Sequence, residues 1–194
     1  MGKVLSILFV FALLSHLARA ADGILDPQFG TNGVSTFATL PGNGETSPSA
    51  IAIQPDGKIV SAGWKSIGGN PPMQNIVVTR LLSTGILDDS FGGDGIVTVQ
   101  IGVSCSSSSL VLQQDGKIVI AGGTNPTSGG ASDSVVLRLN SDGTFDNAFG
   151  IAGIKVVSMT TSFDSLATVS VQTDGRIIAA GNAATQPGIT PNFG

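Results

Sequence analysis

Tyrosine is absent from this chain, histidine and cysteine occur once each, and charged residues make up only 11% of it. Each scarcity excludes a class of chemistry. The one histidine, His16, lies in a segment that reads as a leader, and Glu45 is the one glutamate. A Ser-His-Asp or Cys-His nucleophilic site therefore cannot be assembled from residues 21–194, nor can a His-ligated or thiolate zinc cage. Cys105 has no partner for an internal disulfide, so packing and backbone hydrogen bonds must hold the fold. With nine Lys and Arg against thirteen Asp and Glu and no basic cluster, the chain is a poor candidate for nucleic acid or anionic membrane.

Long apolar runs are also missing beyond the start. Lys3, the apolar run Val4–Leu14 and the small residues around Ala18-Arg19-Ala20 read as a secretory signal peptide over residues 1–20, cut after Ala20. The run is shorter than the ~20 residues that a bilayer-spanning helix needs. The expected mature chain, residues 21–194, is exported, has no membrane span, and is more acidic once Lys3 and Arg19 have left. No segment after the leader has a 3.6-residue apolar period, so almost no helix is expected.

What the chain has is repetition. Gln54-Pro55-Asp56-Gly57-Lys58 returns as Gln113-Gln114-Asp115-Gly116-Lys117 and as Gln172-Thr173-Asp174-Gly175-Arg176, at steps of 59 residues. Such a period marks an array of units, each burying its apolar face on a neighbour. Ala62-Gly63, Ala121-Gly122 and Ala180-Gly181 keep the same step. Leu25-Asp26 with Phe29-Gly30 returns as Leu87-Asp88 with Phe91-Gly92 and as Phe145-Asp146 with Phe149-Gly150. Val77-Val78-Thr79-Arg80-Leu81 matches Val135-Val136-Leu137-Arg138-Leu139.

These columns read as strands and turns. Ala50–Gln54 with Lys58–Ala62, Leu110–Gln113 with Lys117–Ala121, and Thr168–Gln172 with Arg176–Ala180 form hairpins. Their Asp-Gly turns, at Asp56-Gly57, Asp115-Gly116 and Asp174-Gly175, use glycine for its tolerance of positive φ. Ile76–Leu82 and Val135–Leu139 make a third strand. Val34–Thr39, Ile96–Val99 and Ile154–Val157 make a fourth. The unbroken apolar runs Ile118–Ile120 and Ile177–Ala179 predict strands covered on both faces. The expected fold is all-β: a partial β-propeller of about three four-stranded blades, an open array or a piece of a larger ring.

The Leu-Asp-x-x-Phe-Gly, Gln-x-Asp-Gly-Lys-Ile-Val-x-Ala-Gly and Val-Val-x-Arg-Leu elements together resemble the delta-60 repeat of uncharacterised secreted or surface proteins. That resemblance spans essentially all of residues 21–194 and implies β-propeller blades, with no activity, cofactor or catalytic set to carry over.

The acids recur in register, which marks them as turn-capping residues rather than catalytic ones. No cofactor is expected. Ca²⁺ is the ion that Asp142-Gly143-Thr144-Phe145-Asp146 and Asp94-Gly95 come nearest to suiting, without the acid density of a dedicated loop. Arg80 and Arg138, inside apolar strands, need acid partners, for which Asp88 and Asp146 are the candidates. Cys105 and Ser106–Ser109 read as a loop, with Cys105 a free thiol or an intermolecular link. Trp64 breaks its column, which holds Gly123 and Asn182 elsewhere. It is the candidate ligand contact, at the start of a variable segment over Lys65–Asn75, and two readings stand side by side: an exposed ring that stacks on a sugar or anchors a partner, or a ring that covers a sheet edge.

The reading is a non-enzymatic, secreted or surface-exposed module that binds a protein or glycan through its loops. Open strand edges would favour self-association. The alternative is a fragment of a larger propeller hydrolase or lyase with its catalytic residues outside this chain.

Overall fold

In the computed structural model, residues 24–37, 45–68, 73–127 and 130–184 are described. They form ten strands: β1 (Thr46–Ile53), β2 (Ile59–Gly68), β3 (Met73–Leu81), β4 (Ile96–Val99), β5 (Ser104–Leu112), β6 (Ile118–Asn125), β7 (Asp133–Leu139), β8 (Ile154–Val157), β9 (Asp164–Val171) and β10 (Ile177–Ala183). Each pairs antiparallel with its sequence neighbour. The result is three open sheets, ordered β1-β2-β3-β4, β5-β6-β7-β8 and β10-β9. No helix occurs among the described residues. The leader reading, residues 1–20, lies outside them.

The sheets stack face to face. Even-numbered positions of the first sheet, Val60, Ala62, Ile76 and Val78, meet Ile118, Ile120, Leu137 and Leu139 of the second. The second sheet turns Val119, Ala121 and Val136 the other way, onto Leu166 and Val169 of the third. A strand buried on both faces has no reason to alternate, and Ile118, Val119 and Ile120 are all essentially inaccessible. The same reading fails at Ile177–Ala179. Ile177 and Ala179 pack inward, but Ile178 is 52% exposed, since the described residues put nothing on the far face of β10.

The three Asp-Gly hairpins share one geometry. In the first, Gly57 N donates to Gln54 O (2.9 Å) and Gln54 N donates to Lys58 O (2.8 Å). Asp56 Oδ1 accepts from Lys58 N at 3.1 Å. Asp115 and Asp174 accept from Lys117 N and Arg176 N in the same way. Within each pair only the glycine has positive φ: 83° at Gly57, 82° at Gly116 and 85° at Gly175. This is a tight turn closed by a glycine bulge. Gly116→Val forces a β-branched residue into that region and against the Ser141 Cβ. We expect a loss of about 2 kcal/mol in urea unfolding, whereas Gln114→Ala on the same exposed loop should cost less than about 0.5. Gly129, whose Ser/Gly-rich surroundings in the sequence read as a tolerant loop, lies outside the described residues.

The Ala-Gly column has a separate cause. One strand of each hairpin carries a bulge, between Pro48 and Ala50, between Ser107 and Ser109, and opposite Ala180-Gly181. The bulged backbone moves onto the facing strand. A Cβ at Gly63, Gly122 or Gly181 would fall inside contact distance of Ser47 O, Ser106 O or Ser165 O. Glycine is required there by close approach, although its φ is not positive.

Several expectations are corrected. Val34–Thr39 is not a strand over its described part: Val34 makes a single bridge to Thr31 and residues 35–37 are irregular. Its counterparts β4 and β8 are held by β3 and β7, and no described strand lies beside it in that way. Cys105 and Ser106–Ser109 form strand β5, not a loop. Cys105 is 2% exposed, within the core between the first two sheets, so an intermolecular link through it is sterically blocked. The serines face the seam between sheets. Ser49 and Ser107 share a hydrogen bond of 2.8 Å. Ser107 Oγ donates to Gly63 O and Ser108 Oγ donates to Leu166 O. The variable segment Lys65–Asn75 belongs largely to strands: its described residues lie in β2 and β3.

Candidate functional site

Trp64 lies in the body of β2, not at the start of a loop, and is half-buried rather than exposed. Cross-strand pairing with Ser47 and Ile76 fixes its backbone. Trp64 borders a cleft of about 270 Å³, but its side chain shares the face of its cross-strand partner Ile76, which belongs to the core between the first two sheets. One wall of the cleft is the first sheet's outer face, with Ser61, Val77 and Thr79; a second is Thr46–Pro48 of β1; the third is Ser35–Phe37. Ser61 and Thr79 hydrogen-bond each other at 2.7 Å. They stand where the second sheet has Ile120 and Leu137. The floor is therefore self-satisfied and mildly polar, with Phe37 on its flank.

Arg80 organises a second cluster. Its Nε donates to Asp88 Oδ2 at 2.8 Å and Nη2 donates to Ser90 Oγ at 2.9 Å. Nη1 donates to Ser141 O in the following unit. Its guanidinium lies 4.8 Å from the centre of the Phe91 ring, a cation–π contact. Lys58 Nζ approaches Asp88 at 3.3 Å. Arg138 repeats the pattern, with Asp146 at 2.8 Å and Phe149 at 4.6 Å. These are the acid partners expected for the two arginines. The Arg80 cluster docks its unit on the next through Ser141, together with Gly92 N, which donates to Asp142 O at 2.9 Å.

The Ser90 hydroxyl, then the Ser90 N–H, the Arg80 charge and Lys58 hold the Asp88 carboxyl down, and burial opposes them; the net value is about 2. A carboxyl depressed in the folded state stabilises fully above its unfolded value, near ~4, and loses that contribution as pH falls through the folded value. Unfolding monitored from pH 6 to pH 2 should therefore show stability falling between about pH 4 and pH 2. Asp88→Asn should flatten that decline.

One acid was missed in the sequence. Asp164, at the start of β9, is inaccessible to solvent. Burial pushes its carboxyl up, but Thr160 N, Thr160 Oγ1 and Met159 N outweigh that and hold it below the usual range. Those donors lie 2.7–2.8 Å away. Cys105 stands one period earlier and does the same work more weakly: Ile101 N donates to its Sγ at 3.3 Å. Burial raises the Cys105 thiol, against the Ile76 and Ile101 backbone. The signal was the 59-residue step from 105 to 164, hidden because the two residue types differ.

Asp142 and Asp94 are committed to their own turns. Asp142 accepts from Thr144 N (2.9 Å) and Thr144 Oγ1 (2.6 Å), and Asp94 accepts from Ile96 N (3.0 Å). The two segments nearest to a Ca²⁺ loop thus direct oxygens at backbone or arginine. Among the described residues no group of three or more His, Cys, Asp or Glu is placed to hold a metal ion. Asp115 and Asp174 flank a second cleft of about 250 Å³, crossed by Gln113 Nε2, which donates to Gly175 O. No helix among the described residues is long and apolar enough to cross a membrane.

No curated protein matches the chain. Residues 54–91 and 113–149 match the family model described as a domain of unknown function (DUF5122) beta-propeller, each match running from an Asp-Gly hairpin to the Phe of the following Asp-x-x-Phe-Gly turn. The two matched segments, together less than half of the chain, are thus similar to a β-propeller domain of unknown function, and each lies in a four-stranded sheet of an open all-β array.

Proposed function

We propose that this chain is an exported, non-enzymatic repeat module of the delta-60 type that binds an extended protein or glycan ligand in the Trp64 cleft. The observation that carries this reading is a preformed cleft with Phe37 in its lining and the hydrogen-bonded Ser61 and Thr79 on its floor. An aromatic wall beside a small polar floor suits sugar faces and extended backbone alike. The repeated acids support a non-catalytic role, because their oxygens are engaged by turn N–H groups, lysine or arginine. The leader pattern of residues 1–20 supports export, and the three sequence columns support the delta-60 assignment.

The test titrates soluble oligosaccharides and extended peptides into the protein by calorimetry. The reading expects saturable binding of one of the two classes, abolished by Phe37→Ala. It is overturned if neither class binds at millimolar concentration.

A further inference from the structure

We infer that the Trp64 cleft is a docking slot for an arginine-bearing β-strand of the Val-Val-x-Arg-Leu type, supplied by another repeat of this kind. The inference rests on the cleft reading above and narrows its ligand to one chemistry. The chain itself contains the filled form of the slot. One period on, the counterparts of the cleft walls are Val97 and Val99, Cys105, Ile120 and Leu137. In the first inter-sheet core those residues are covered by Val60, Ala62, Ile76 and Val78 of β2 and β3. The same columns that line the cleft therefore bind two strands in the next unit. At the cleft itself, Ser35–Phe37 and the outer face of the first sheet form the walls.

The turn beside the cleft carries the matching electrostatic half. Asp26 and Phe29 occupy the column of Asp88 and Phe91, and of Asp146 and Phe149. In both later units an arginine from the third strand bonds the aspartate at 2.8 Å and covers the ring. Asp26 is exposed, and its carboxylate accepts from Gln28 N at 2.9 Å. The Phe29 turn is already set in its docking position: Gly30 N donates to Thr84 O at 2.8 Å, as Gly92 N does to Asp142 O. The receptor half of the staple is thus built and aligned.

The filled register fixes how the strand lies. Ile76 opposes Val99 and Val78 opposes Val97. By the same offsets, the first small apolar residue of a docked strand faces Phe37 and the third faces Ser35. Its arginine then reaches Asp26 and Phe29. Backbone pairing supplies affinity, and the arginine supplies register and specificity.

The test titrates a labelled synthetic peptide of residues 74–82, made soluble by a distal lysine tail, into the full chain. Peptide anisotropy is followed. The expected result is saturable binding, weakened at least tenfold by Arg80→Ala in the peptide and by Asp26→Asn in the protein. Asparagine keeps the cap on Gln28 N, so the variant should fold normally, as circular dichroism can check. Binding insensitive to Asp26→Asn would mean exchange with β3 or nonspecific adhesion, and would overturn the inference. Absence of peptide binding would overturn it too. If oligosaccharides alone bind, this inference falls while the cleft reading stands.

Discussion

Replacing Asp88 with alanine should lower the unfolding free energy by about 3 kcal/mol, one of the two largest losses expected from a single substitution in this chain. The reason is the neighbour left behind. Arg80 is 5% exposed and Asp88 6%, so the variant strands a guanidinium in a dry seam, where an unpaired charge is far more costly than the pair is favourable. Arg80 would keep its bonds to Ser90 and Ser141, which sets the estimate at the lower end of the usual range. Asp146→Ala should cost less. The Arg138 side chain is 19% exposed against 6% for Arg80, and water can solvate it. Asp174→Ala, on an exposed turn, should barely move the midpoint. Urea midpoints of the three variants check the order Asp88, Asp146, Asp174. Equal shifts would contradict the docking role of the Arg80 cluster.

Gly122→Ala should be at least as damaging, again about 3 kcal/mol. The added methyl meets the backbone of the Ser107 bulge, Ser106 O and Ser107 Cα. β6 lies between two sheets and cannot retreat without opening a core. Its neighbour provides the contrast. At Gly123 the nearest atom to an added Cβ is the Ser165 side chain at 3.2 Å, which can shift slightly, so Gly123→Ala should cost about 1 kcal/mol or less. Gly181→Ala repeats the Gly122 clash on a two-stranded sheet, whose strands have room to separate. Thermal melts of the three should rank Gly122 well above the other two.

Most of the fold was legible because repetition makes a sequence its own alignment. The Asp-Gly hairpins, the β3 and β7 strands and the covered faces of β6 follow from columns that recur at one step. The arginine–aspartate pairs were legible for the same reason, since a charge inside an apolar strand demands a partner. The failures share a cause as well. Ser106–Ser109 has loop composition, yet those hydroxyls satisfy the polar seam between sheets, which local propensity cannot see. Trp64 reads as the start of a variable segment because its column holds glycine and asparagine, although cross-strand pairing keeps it in β2. Asp164 is hidden because its column holds Cys105 and Thr46, although Cys105 and Asp164 accept backbone N–H groups in one capping geometry. The cleft needed three separate segments to be brought together, and no spacing announces that.

Face-to-face stacking of near-identical sheets underlies every assignment made for this chain. Native-state hydrogen exchange read by mass spectrometry tests it most directly, because exchange ranks strands by how firmly their neighbours cover them. Ile118–Asn125, sandwiched on both faces, should exchange slowest. Thr46–Ile53 and Ile177–Ala183 should exchange early, with Met73–Leu81 between. Equal protection across β1, β6 and β10, or faster exchange in β6 than in β10, would contradict the stacked arrangement.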